Sequence, residues 1–173
     1  MFKFNLSSSE YKESKKEVKR CKKLCHQINA LSPYSKLVSY KINKLMQHRL
    51  PPNSQILTPV YIDRANCITI GQKVFINYGF HCVARGTIEI QDNVMIAPNV
   101  TILTTNHDYY DRNVLLCKKV TIKKNAWLGS SCIILPGVTI GENSIIGAGA
   151  VVTKDVPDNC IFSGNPAKFI KQI

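Results

Sequence analysis

Of the side chains that could carry chemistry in this sequence, the histidines come first, because imidazole is the group whose ordinary pKa lets it take up and return a proton near neutral pH. There are four: His26, His48, His81 and His107. His107 lies in a polar and aromatic run with Asn106, Asp108, Tyr109 and Tyr110, where it could act as a general base that removes the proton of an attacking hydroxyl. What orients its second ring nitrogen is left open, since Asp108, Asp111 and a backbone carbonyl are all in reach. His26 and His48 fall in a segment that reads as helix, so three histidines do not converge and a zinc site is not expected. The seven cysteines form no Cys-x-x-Cys pair and read as buried, reduced thiols. Lys154, Lys168 and Lys171 gather positive charge toward the end of the chain, which suits phosphate groups or plain solvated surface equally.

The element that must hold His107 is a repeat. From Ile68 to Val152 an apolar residue recurs every six positions, at Ile70, Ile76, Cys82, then Ile90, Ile96, Ile102, then Ile122, Leu128, Ile134, Ile140, Ile146 and Val152. A second register runs two residues ahead: Ile68, Val74, Phe80, Ile88, Val94, Val100, Val120, Ala126, Cys132, Val138, Ser144 and Ala150. Two inward positions flanking one outward position make a very short strand, and Gly, Asn, Pro or Asp between them turns the chain. This pattern predicts a parallel β-helix built of hexapeptides and excludes an amphipathic helix, whose apolar steps would be three and four.

The repeat is interrupted twice. Between Cys82 and Ile90 two extra residues bulge near Arg85 and Gly86, and between Ile102 and Ile122 a long insertion, residues 105–119, leaves the coil and carries His107. Insertions in stacked coils project from corners as loops, so chemistry is expected there. Several outward positions, Phe75, Met95, Trp127, Ile133, Ile145 and Val151, are apolar, which predicts a surface covered by another subunit or a ligand.

Ahead of the repeat, Ser7 to Glu10 reads as a capping box for a helix starting near Ser9, with Tyr11, Val18, Cys21, Leu24, Cys25, Ile28 and Leu31 on one face. Ser32 and Pro33 are expected to start a second helix that Pro51-Pro52 ends. The organisation is therefore a helical cap over residues 1–52, a β-helix over 53–157 and a tail over 158–173. The net charge is +12. Residues 1–50 carry 12 Lys and Arg against 3 acids, so most of it belongs to the cap, yet no nucleic-acid motif accompanies it. No apolar run reaches the roughly 18 residues of a membrane span, and the start lacks a secretory apolar core, so a cytoplasmic protein is expected.

Specific segments carry a resemblance. Asp92-Asn93-Val94-Met95-Ile96-Ala97-Pro98-Asn99-Val100, the Asn106-His107 loop, Trp127-Leu128-Gly129-Ser130, Pro136-Gly137-Val138-Thr139-Ile140-Gly141 and Gly147-Ala148-Gly149-Ala150-Val151-Val152-Thr153-Lys154-Asp155 resemble the galactoside and maltose O-acetyltransferases. The paired helices resemble that family's N-terminal cap, so the resemblance runs from about residue 15 to the C-terminus. It implies a left-handed β-helix, acetyl-CoA as co-substrate, no metal, and a trimer with active sites between subunits acting on a saccharide hydroxyl.

Residue by residue, the resemblance makes His107 the catalytic base and Ser130 the oxyanion donor through its amide or hydroxyl. Asn77 matches an acceptor-contacting asparagine. Trp127, Ser130, Ala148 and Ala150 would border the pantetheine arm, and Thr153, Lys154, Lys168 and Lys171 the nucleotide end. One departure bears on substrate: Arg85 stands where the family has an acidic acceptor-binding residue, and the family's acidic N-terminal segment is absent. A cation there is expected to favour an anionic or nucleotide-linked saccharide, with His81 close by. N-acetylation of an amino sugar, O-acetylation of an antibiotic, a metal-dependent carbonic anhydrase and a non-catalytic scaffold are the rival readings.

Overall fold

The computed structural model describes residues 1–173. The chain opens with strand β1 (Phe2–Asn5) and helices α1 (Ser9–Asn29) and α2 (Lys36–Leu45), then enters a parallel β-helix. Its first coil is β2 (Gln55–Ile56), β3 (Val60–Ile62) and β4 (Ile68–Ile70); its second is β5 (Phe75–Ile76), β6 (Phe80–Val83) and β7 (Ile88–Ile90). The third coil, β8 (Met95–Ile96) and β9 (Thr101–Leu103), is opened by a hairpin, β10 (Thr105–His107) and β11 (Val114–Cys117), before β12 (Val120–Ile122) closes it. The fourth is β13 (Trp127–Leu128), β14 (Ile133–Ile134) and β15 (Thr139–Ile140), and the fifth β16 (Ile145–Ile146), β17 (Val151–Val152) and a single bridge from Val156 to Ile140. Strands β18 (Cys160–Ser163) and β19 (Lys168–Gln172) finish the chain.

Each coil contributes one strand to each of three faces. Face I stacks β2, β5, β8, β13, β16 and β18, with β19 antiparallel at its edge; face II stacks β3, β6, β9, β14 and β17; face III stacks β4, β7, β12 and β15. Every residue of both inward registers is buried, Ile70 being the most open at 8%. Each of the larger aliphatic side chains contributes about 1.5–3 kcal/mol by leaving water. Ser144, the one hydroxyl in those registers, donates to Pro157 O (2.6 Å) and accepts from Cys160 N (3.1 Å), so its burial leaves no unpaired group.

The edge joining faces III and I is set by residues in the left-handed region: Lys73, Asn93, Asn125, Asn143 and Asn159, with φ of 55–59°. Asparagine tolerates that conformation, and here its amide also bonds along the stack, from Asn93 to Asn125 (3.1 Å), Asn125 to Asn143 (2.8 Å) and Asn143 to Asn159 (2.8 Å). The cap closes the other hazard of a solenoid, its exposed first strands. Asn29 bonds both Val60 N (2.9 Å) and Val60 O (3.0 Å), and the Arg49 guanidinium donates to Ala65 O (2.7 Å) and Ile68 O (3.2 Å). Cys21, Leu24, Cys25 and Ile28 of α1 and Val38, Ile42 and Leu45 of α2 join the same core. All seven cysteines are free thiols, and burial pushes Cys132 up to about 12.

Two local expectations change. The N-cap of α1 is Ser8, whose hydroxyl accepts from Tyr11 N (3.1 Å) and donates to Asn5 O (2.8 Å); the turn that follows β1 selects it, and Glu10 takes no part in a capping box. The second helix starts after Ser35, not Ser32, because residues 32–35 close a turn of their own (Ser35 N to Ser32 O, 2.9 Å), and it ends at Leu45 through left-handed Gln47 and His48 before the prolines are reached. The tail is built of strands: Cys160–Ser163 continues face I in parallel on β16, and Phe162 packs edge-on against Phe169 of β19.

Candidate functional site

The hairpin that carries His107 leaves the prism at the edge between faces II and III. Thr104, fully buried, anchors its base: its hydroxyl donates to Val83 O (2.7 Å) and accepts from Gly86 N (2.7 Å), while Lys118 N returns to Thr104 O (2.9 Å). A side chain at Gly86 would meet Thr104 O and Lys118 O at 2.5 Å, so glycine is what lets the two arms emerge this close together.

His107 itself is exposed, and its Nδ1 lies 2.7 Å from Arg112 O. A carbonyl can only accept, so Nδ1 carries a proton, and in the neutral ring Nε2 is the nitrogen left to act as a base. The question the sequence left open is thereby answered by the backbone. Asp108 instead accepts from Tyr110 N (2.9 Å) and Asp111 N (3.4 Å), which lowers its pKa, and Asp111 accepts from Asn113 N (2.9 Å); both carboxylates shape the loop. Around the imidazole is a recess of about 480 Å³ lined by Asn106, Tyr109, Arg112, Leu116, Lys118 and Pro136. It holds two cations and no carboxylate. Arg112, Lys118 and Pro136 were not singled out from the sequence. Arg112 and Lys118 belong to the insertion itself, whereas Pro136 reaches the recess from the corner between β14 and β15, which only the coil geometry brings to the hairpin.

The other candidates occupy a different edge. Asn77, Ser130 and Ala148 all lie at the corner between faces I and II, in the second, fourth and fifth coils. Asn77 Oδ1 accepts from Tyr78 N (2.8 Å), a local turn bond. Ser130 O accepts from Gly149 N (2.8 Å), whereas the Ser130 N–H and hydroxyl make no hydrogen bond within the chain. At Gly129 a side chain would strike Ile146 O (2.6 Å) and Ala148 N (2.7 Å), so the coils touch backbone to backbone there. Trp127, 45% exposed, stands outward on face I in a column with Phe75, Met95 and Ile145. Ala148 is exposed at the corner, but Ala150 points into the core, so only its backbone can border a ligand. Thr153 and Lys154 are exposed above the His107 hairpin at the II/III edge, and Lys168 and Lys171 are exposed on β19. Face II therefore lies between His107 and Ser130 within one chain.

Two expectations about the acceptor do not fit the geometry. Arg85, expected to face an acceptor as an open cation, is 7% exposed: its Cζ lies 4.6 Å from the Phe4 ring centroid and 4.7 Å from that of Tyr11, and its Nη2 donates to Ser14 Oγ (2.9 Å). Burial, reinforced by Arg64 nearby, lowers its pKa. The N-terminal segment covers it, and it borders a recess that does not contain His107. His81 lies outward on face II beside Tyr61, in a recess of about 420 Å³ under α1 with Lys22 and His26, again separate from His107.

These features have counterparts in known proteins. The bacterial transferase hexapeptide family (six repeats) matches residues 119–154. Galactoside O-acetyltransferase of Escherichia coli K12 is 37% identical over 158 residues, 89% of this chain and 78% of that protein. This chain belongs to that family. The acetyltransferase superposes on a galactoside acetyltransferase solved in complex with coenzyme A with a TM-score of 0.85 and 33% identity, covering 98% of this chain and 86% of that one. A maltose O-acetyltransferase from Clostridium difficile 630 gives 0.83 and 34%, covering 99% and 92%. The fold of this acetyltransferase is accordingly the left-handed parallel β-helix with a helical cap that the resemblance implied. Among its helices, none is long and apolar enough to cross a membrane.

Proposed function

We propose that this acetyltransferase moves acetyl from acetyl-CoA to a hydroxyl of a negatively charged or nucleotide-linked saccharide, with His107 as general base, in sites completed between the subunits of a homotrimer. The observation that carries the reading is the 2.7 Å contact of His107 Nδ1 with Arg112 O, which makes Nδ1 the donor and leaves Nε2 as the nitrogen that can take a proton from an acceptor hydroxyl. Nε2 takes the hydroxyl proton as the oxygen attacks the thioester carbonyl. The tetrahedral oxyanion accepts a hydrogen bond from Ser130, whose N–H and hydroxyl are uncommitted. The intermediate then collapses, the C–S bond breaks, and the imidazolium returns its proton to the departing thiolate. The products are an acetyl ester and free CoA thiol.

The same geometry supports the trimer. His107, Thr153 and Lys154 share the II/III edge, whereas Asn77, Ser130 and Ala148 share the I/II edge. A cyclic arrangement that lays one chain's II/III edge against its neighbour's I/II edge would unite them and cover Phe75, Met95, Trp127 and Ile145. Trp127 and Ala148 then flank the pantetheine arm, with Thr153, Lys154, Lys168 and Lys171 toward the nucleotide phosphates. The seven free thiols suit a reducing compartment, the cytoplasm.

With Arg85 occupied, the case for an anionic acceptor rests on Arg112 and Lys118, the two cations of the His107 recess. Thiol release from acetyl-CoA across neutral sugars, anionic and nucleotide-linked sugars, amino sugars and aryl alcohols tests the proposal. Preference for anionic hydroxyl acceptors, with KM raised about tenfold in Lys118→Glu, supports it. Equal rates on neutral and anionic sugars remove the charge preference, and transfer to amines alone replaces the hydroxyl with nitrogen.

A further inference from the structure

The N-terminal residues do something other than continue the helical cap. Strand β1 pairs antiparallel with β11, matching Phe2 with Cys117, Lys3 with Leu116, Phe4 with Leu115 and Asn5 with Val114, and Leu6 N donates to Asn113 O (2.8 Å). On its other side β11 pairs with β10, matching Leu115 with His107. Phe4, Leu115 and His107 thus form one row across a three-stranded sheet. A two-stranded hairpin projecting into water is marginal by itself, and a third strand is what makes such a sheet hold its shape.

The outer strand is held at two points. Lys3 Nζ approaches Asp108 Oδ2 at 3.8 Å, and Asp108 in turn fixes the loop that delivers Arg112 O to His107. At the base, the Arg85 guanidinium lies against both Phe4 and Tyr11 and bonds Ser14, so that β1, α1 and the prism meet on one buried cation.

From this arrangement, and resting on the reading of His107 as the base, we propose that Arg85 is a positioning residue: by clamping Phe4 and Tyr11 it docks the N-terminal strand onto the catalytic hairpin and so holds His107 in its Nδ1-protonated, base-competent state. Arg85 therefore acts on catalysis through the hairpin instead of touching the acceptor.

The test uses the full-length protein and five forms: wild type, Arg85→Met, Arg85→Lys, Phe4→Ala and His107→Ala. Two-dimensional 15N spectra of the imidazoles read the tautomer of His107 with no acceptor needed, and calorimetry reads acetyl-CoA binding. In wild type the Nδ1-protonated tautomer dominates. In Arg85→Met and Phe4→Ala, resonances move toward the averaged values of an unconstrained imidazole, kcat for the best acceptor of the panel falls about tenfold or more, and acetyl-CoA affinity stays within about twofold; Arg85→Lys recovers part of both. An unchanged tautomer and kcat in Arg85→Met and Phe4→Ala, alongside an inactive His107→Ala, would overturn the positioning role and leave the base assignment standing. Full activity in His107→Ala would overturn both. Parallel loss of acetyl-CoA binding and melting temperature in Arg85→Met and Phe4→Ala would reduce Arg85 to a general packing residue and overturn the proposal.

Discussion

If His107 and Ser130 act together only across a subunit boundary, two inactive variants must repair one another. His107→Ala destroys the hairpin half of every site in an assembly made of that variant alone. Ala148→Trp blocks the groove half: Ala148 is exposed at the I/II edge, so the bulky ring fits in solvent space without disturbing the core. In a randomly reassembled equimolar mixture, a working site needs a hairpin from an Ala148→Trp chain, chance one half, beside a groove from a His107→Ala chain, chance one half. About one quarter of wild-type sites are restored, and the fraction is the same for any closed ring with head-to-tail contacts. Subunits are dissociated in mild denaturant, mixed, refolded and assayed by acetyl-CoA-dependent thiol release, with each parent carried through the same cycle. Activity no greater than the mean of the two parents would refute the reasoning, because it would mean that the two halves belong to one chain.

Other expectations follow from the fold. Asn125→Ala forces a Cβ-bearing residue without side-chain compensation into φ 59° and breaks two ladder bonds, so it should cost about 2–3 kcal/mol, whereas Asn125→Gly should cost about 1 kcal/mol by losing the bonds alone; denaturation followed through the single Trp127 at fixed protein concentration separates them. Lys73, at φ 55° in the same column, should gain about 1 kcal/mol as Asn, read as a raised denaturation midpoint. Glu17 is desolvated, which would raise its pKa, but hydrogen bonds from Arg20 and Cys21 and the Arg20 charge outweigh this and leave it below its ordinary value of 4.5. A depressed carboxylate contributes stability above its unfolded pKa and loses it as pH falls through the folded one. Glu17→Gln should therefore destabilise by about 1–2 kcal/mol at pH 7 and by progressively less below pH 4.5, measured as paired denaturation curves.

The interior of this protein is written plainly in its sequence, since a hexapeptide period allows only one set of side chains to face inward, and every residue of the two registers is buried. The insertion that carries His107 was legible for the same reason, a broken period marking where the chain leaves the coil, although its pairing as strands β10 and β11 was not. What was not legible depends on partners remote in sequence. The four residues of β1 gain a strand partner only at Val114–Cys117, more than a hundred positions away, and nothing local announces it. Arg85 was expected to face an acceptor because the resemblance aligns it with an acceptor-binding position, and it was the distant Phe4 and Tyr11 that buried it. The first helix starts at Ser9 as expected, but its cap is Ser8 instead of a capping box, and the second starts three residues late because Ser35, set by its preceding turn, caps it in place of Ser32. The orienting group of His107 was a carbonyl five residues on, which no side-chain pattern encodes.

The central claim, that His107 is the proton-transferring base, is tested most directly by kcat for acetyl transfer in His107→Ala at saturating acetyl-CoA, with donor affinity measured on the same preparation. A fall of two to four orders of magnitude with unchanged donor binding, roughly the contribution of a general base, is the predicted result. A variant that binds acetyl-CoA and turns over within about threefold of wild type would contradict the account, because no catalytic contribution of the size expected from a base would then have been lost.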